Sequence, residues 1–103
     1  MNHVIINASG LLPLMYHPLY FIFSDFINNL DTEFLDLHFE RLLNELEDEL
    51  DVKTVFDICT KIHYYITTLV LSKVPNVLNY KVTKVEQDER RGYYLLKIEY
   101  TEL

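Results

Sequence analysis

Between Leu19 and Val74 the chain contains neither glycine nor proline, yet its apolar periodicity changes phase midway. These two facts decide what the stretch can become. Leu35, Phe39, Leu42, Leu43, Leu46 and Leu50 fall within one sector of about 100° on a helical wheel, which is the width of a core-facing stripe. Val52, Val55, Phe56, Cys59, Ile62, His63, Ile66, Leu69 and Val70 form a second stripe, centred roughly 200° from the first on a straight helix. One continuous helix would bury opposite sides in its two halves. A break near Asp51, with that residue capping the second helix, lets both stripes face one core.

The flanks supply the remaining elements. "HVIIN", residues 3–7, is a short β-branched run ending before Ser9-Gly10, which predicts an opening strand. Pro18 suits the first turn of a helix, and Leu19, Ile22, Phe23, Phe26 and Leu30 recur at helical spacing, so a first helix is expected over 18–29. Asp31 or Thr32 caps the second helix, with Glu33 in its first turn, where the helix dipole favours an anion. Lys73 and Pro75 end the third. Beyond them, "VLNYKVTKVE" and "YYLLKIEYTE" read as two strands. Leu78, Tyr80 and Val82 share one face of the first, and Tyr94, Leu96, Ile98 and Tyr100 share one face of the second. "QDERRG" between them reads as a hairpin loop, with Gly92 free to take positive φ.

At 103 residues this is one domain, 1–103, large enough for a single core. The expected class is α+β, in the order β-α-α-α-β-β, with three helices packed on one face of a small antiparallel sheet. Cys59 is the sole cysteine, so no disulfide forms within the chain and a reducing, cytoplasmic compartment is expected. The apolar opening "GLLPLMYHPLYFIF" lacks a basic leader, and Pro13, His17 and Pro18 interrupt it. Neither a signal peptide nor a membrane span is read from it.

Site chemistry is thin. Cys59 and His63 stand one helical turn apart, but zinc needs three or four protein ligands, so they are read as core residues and no metal or cofactor is expected. There is no nucleophile elbow and no phosphate-cradling glycine loop, and solvated carboxylates lack the divergent environments that acid–base catalysis requires. No catalytic residue is assigned.

The charge layout is more informative. The net charge is −7, yet residues 1–24 carry no charged side chain. Residues 25–51 hold ten acids against Arg41 alone, and residues 52–103 are weakly basic. Glu33, Asp36, Glu40, Glu47 and Asp51 fall on one stripe beside the buried sector, with Asp48 close by and Phe34 and Leu37 as apolar residues among or near them. On a straight helix the stripe would span about 27 Å, a coarse imitation of a phosphate backbone. A neutral design would place lysines at i+4, where this face repels itself. The stripe therefore suggests a partner-binding face for a basic surface that normally grips nucleic acid. The bases of the tail, Lys81, Lys84, Arg90, Arg91 and Lys97, are diluted by acids, so direct binding of nucleic acid is not expected. Tyr64, Thr68 and Leu71 on the back of the third helix, or the basic hairpin, offer the alternative of a homodimer. Composition skewed towards Phe, Tyr, Ile, Asn and Lys fits an AT-rich genome and suggests a viral or phage accessory protein.

Overall fold

In the computed structural model, residues 2–47 and 51–103 are described. The strands are β1 (Asn2–Asn7), β2 (Val77–Asp88) and β3 (Tyr93–Glu102), and the α-helices are α1 (Tyr20–Asn28), α2 (Leu35–Glu45) and α3 (Val52–Lys73). The sheet is antiparallel in the order β1-β3-β2, so the last strand is central and pairs with the first. The helices cover one face of it, as α+β patterning required. Two 3-10 segments, Ser9–Tyr16 and Thr32–Phe34, complete the elements among the described residues. The longer was not expected. Its apolar residues are interrupted by Pro13 and carry no 3.6-residue stripe from which a helix could be read.

Periodicity works best where one element is buried on one face only. Val55, Cys59, Ile62, Ile66 and Val70 are the buried positions of α3, recurring at three and four residues. They meet Tyr94, Leu96 and Ile98 of β3 and Ile6 of β1 in a core that also takes Phe23, Phe26 and Ile27 of α1. Each such side chain, fully buried, contributes about 1.5–3 kcal/mol of hydrophobic stabilisation. Buried phenols need partners, and both find them. Tyr94 shares a hydrogen bond of 2.9 Å with the hydroxyl of Tyr20, and Tyr80 one of 2.6 Å with Thr67. These bonds tie α1 to β3 and α3 to β2.

Three expectations need correction. First, α2 stops at Glu45 and does not run on towards residue 50. Further helix would carry a dense block of carboxylates into the negative pole of the helix dipole. The chain turns at Leu46 and Glu47 instead. Asp51 does take the N-cap position of α3, but only its backbone carbonyl serves, accepting from Val55 N at 3.1 Å; its side chain makes no capping bond. Second, α2 is rotated relative to its apolar stripe. Leu42 and Leu46 are buried as expected, whereas Leu43 is exposed and His38 is buried in its stead. Leu50 lies outside the described residues. Third, β2 slips register between Val77 and Asn79 and again between Val82 and Lys84. The first irregularity turns Leu78 out to solvent; the second returns Val85 to the covered face.

The outer edge of β2 is covered. Val82 N donates to Leu30 O at 2.9 Å, and Thr32 Oγ1 both accepts from Tyr80 N at 2.8 Å and donates to Tyr80 O at 3.0 Å. Thr32 is thus a fastener for the sheet, and Asp31 caps the 3-10 turn, its Oδ1 accepting from Glu33 N at 3.0 Å; neither caps α2, whose N-cap is Phe34 with no side-chain capping bond. Thr32→Val keeps the shape and removes both bonds, leaving part-buried backbone groups of Tyr80 without partners. A loss of about 1–3 kcal/mol is expected in urea unfolding. A change below about 0.5 kcal/mol would mean that this edge does not depend on Thr32.

Candidate functional site

The acidic stripe is three pieces and not a straight ladder. Glu33 and Phe34 lie in the 3-10 turn Thr32–Phe34, which Asp31 caps. Asp36, Leu37 and Glu40 lie on α2, whose eleven residues extend about 16 Å at 1.5 Å each. Glu47 is in the turn after α2 and Asp51 at the start of α3. Asp48 lies outside the described residues. Every one of the others is exposed to solvent. The expected 27 Å ladder required a helix reaching Asp51, and that helix ends six residues earlier.

What the fold does bring together is a different set. An open groove of about 460 Å³ lies where the 3-10 turn meets one end of the sheet. Four carboxylates line it: Asp31, Glu33, Glu99 and Glu102. Lys81 is the only base among its described lining residues, and it is paired with Glu99 at 3.5 Å. Phe34, exposed, and Tyr100, half-buried, are the aromatic residues it offers to solvent, while Tyr80 beside them is buried in the core. Two of the acids are held in place: Asp31 by its cap bond, Glu102 by Asn76 Nδ2, which donates to it at 3.0 Å. Phe34 also walls a second crevice, of about 290 Å³, shared with Glu33, Asp36 and Leu37. Phe34 is 53 % and Leu37 61 % exposed, so both stand free among acids.

This arrangement has a clear chemical preference. Carboxylates with few bases attract cations, and aromatic faces add cation–π attraction for a lysine or arginine head. Of the groove, sequence reasoning identified Glu33 and Phe34 alone. Glu99, Tyr100 and Glu102 were read as strand residues, and no local signal says that the end of β3 comes to rest beside Asp31. That proximity follows from the β2 edge being fastened by Leu30 and Thr32.

The basic hairpin offers less. Lys84 bonds Glu86 at 2.8 Å and Arg91 lies 3.8 Å from Asp88, so its charges are largely answered locally. Cys59 is fully buried, and burial pushes its thiol up to about 12. At neutral pH it is protonated and unreactive. Among the described residues, no three His, Cys, Asp or Glu side chains are placed to hold a metal ion, and no helix is long and apolar enough to cross a membrane.

A separate polar cavity of about 330 Å³ lies between α1 and α2, lined by Asp25, Asn29, His38, Arg41 and Glu45. His38 is only 8 % exposed. Its Nε2 lies 3.3 Å from Phe26 O, which assigns that nitrogen the proton, and its Nδ1 has no partner. Burial lowers its pKa, reinforced by the Arg41 charge and opposed by the Phe26 carbonyl and the carboxylates of Asp25 and Glu45.

Comparison with protein-family models, curated proteins and solved structures finds no match for this chain.

Proposed function

We propose that this chain is a non-catalytic binding protein whose acidic face covers a basic surface on another protein, of the kind that grips nucleic acid. The observation that supports this best is the groove at the 3-10 turn, where four carboxylates surround exposed and half-buried aromatic rings and one already paired lysine. Exposed Phe34 and Leu37 supply apolar anchors within a rim of charge, which is the make-up of a binding hot spot. Asp36, Glu40, Glu47 and Asp51 extend the field around it and steer a cationic partner. A small viral or phage accessory factor in the host cytoplasm, inhibiting a nuclease, polymerase or defence complex, would use such a face. The skewed composition of the chain favours that source.

The reading is tested by capture from a host lysate with the wild-type chain and with a Glu33→Lys/Glu40→Lys variant, at about 0.1 M and 0.5 M salt. A specific basic protein should be retained by the wild type at low salt only, be displaced by duplex DNA, and bind the variant at least about tenfold more weakly. Phe34→Ala should weaken the same complex without altering its salt dependence. Equal retention by wild type and charge-reversed variant would sink the proposal.

A further inference from the structure

We infer that β1 is a homodimer seam: its free edge pairs antiparallel with β1 of a second copy, joining two three-stranded sheets into one of six strands. This goes beyond the proposed partner-binding face and does not depend on it.

The hydrogen-bond alternation of the ladder shows which groups are free. Ala8 N donates to Tyr94 O, and the same register sets Ile6 opposite Leu96, Val4 opposite Ile98 and Asn2 opposite Tyr100. Bonded and non-bonded pairs alternate in an antiparallel ladder. Asn2, Val4 and Ile6 therefore direct their N–H and C=O groups to β3, while His3, Ile5 and Asn7 direct theirs outward. Among the described residues, no backbone hydrogen bond reaches those outward groups.

The two edges of the sheet are treated differently. That of β2 is covered by Leu30 and Thr32, carries lysines and is irregular at two points. Among the described residues, Asn2–Asn7 has none of the usual guards against strand addition: no lysine, no proline, no bulge, no covering segment. At its centre stands Ile5, 62 % exposed.

A second copy fits this edge better than an unrelated strand. A two-fold axis at Ile5 sets Ile5 against Ile5 and His3 against Asn7, so outward groups meet outward groups and up to about six hydrogen bonds form. The same register keeps Val4 and Ile6 of both copies on the helix-covered face and both Ile5 side chains on the open face. Charge agrees. Every copy is acidic overall, so most approaches bring carboxylates together, but β1 is uncharged and Ile5 lies opposite Lys97. Glu99, opposite His3, and Glu86, in a shallow pocket with Ile5, come near β1, and each is paired with a lysine, Lys81 and Lys84; the groove lies at its Asn2 end. The axis would set the two Asn2 residues at opposite ends of the seam, about 20 Å apart along the strands.

Sedimentation equilibrium from micromolar to submillimolar concentration tests the seam. The wild type should have twice the monomer mass of 12.3 kDa. Ile5→Lys puts like charges directly opposite each other in the dimer, while its side chain is solvent-exposed in the monomer. Its dissociation constant should rise by at least about tenfold with unchanged far-UV circular dichroism. The amides of His3, Ile5 and Asn7 should exchange more slowly as wild-type concentration rises, and should not do so in Ile5→Lys. A wild-type monomer throughout, or a dimer that survives Ile5→Lys, overturns the proposal. So does a dimer that is lost only on Tyr64→Lys, at the 75 % exposed tyrosine on the back of α3.

Discussion

Replacing Phe26 by alanine should destabilise the chain by about 3–5 kcal/mol, the cost of deleting a fully buried ring and leaving a cavity. Phe26 is 1 % exposed and is the hub of an aromatic chain. Its ring stacks on His38 at 4.8 Å between centroids and meets Phe39 at 5.4 Å, and Phe39 meets Phe56 at 5.0 Å. Three helices are therefore joined through a chain of rings: α1 carries Phe26, α2 carries His38 and Phe39, and α3 carries Phe56. Domains of this size hold only about 5–15 kcal/mol in total. At roughly 4–8 °C per kcal/mol the melting midpoint should fall by more than about 12 °C, read by calorimetry. Because α2 rests on this ring, its amides should lose more exchange protection than those at the core of α3. Phe26→Leu, which keeps most of the volume, should recover more than half of the loss. A deficit below about 1 kcal/mol in the alanine variant would show that α2 is seated by other contacts.

Acidification should weaken the fold through the buried imidazole of His38 and the half-buried one of His63. Burial lowers the pKa of His38 and of His63 from an ordinary value of 6.5. The unfolded chain thus takes up protons near pH 6.5 that the folded chain refuses until lower pH. Stability is then constant above about pH 7.5 and falls as pH drops through 6.5 towards the folded values. The slope is bounded by about 1.4 kcal/mol per pH unit for each histidine, the limit of one proton taken up on unfolding. Denaturant unfolding from pH 8 to pH 5 measures this. His38→Leu removes one titrating group together with the unpartnered Nδ1, so its curve should be shallower than that of the wild type between pH 7 and pH 5. Parallel curves would exclude His38 as a source of the acid sensitivity.

The sequence was most readable where a single contact surface governs an element. The stripe of α3 and the alternation of Tyr94, Leu96 and Ile98 in β3 each answer to one core, so spacing found every buried residue of α3, together with Val52, Phe56, His63 and Leu69, which flank the stripe half-buried. Reading failed where two surfaces compete. Leu43 belongs to the apolar stripe of α2 by angle, yet the stack of His38 on Phe26 rotates that helix and leaves Leu43 wet. Leu78 obeys a period of two until the register slips beside it. The acidic stripe was visible as composition and partly as placement, since Glu33, Phe34, Asp36, Leu37 and Glu40 are all exposed. The groove itself was not, because Asp31 and Glu102 are brought together only by the fastening of one sheet edge.

The placement of β3 has a consequence for synthesis. Both other strands hydrogen-bond to it and not to each other, so no part of this sheet can assemble while residues 93–102 are still within the ribosome. The emerging chain must hold β1 and the apolar faces of three helices in water until β3 emerges. Helical hairpins can form during that interval, but β1 waits for residues 93–102 before it has its mate in the sheet. The sheet is accordingly closed by the emergence of residues 93–102, the one segment that both other strands need.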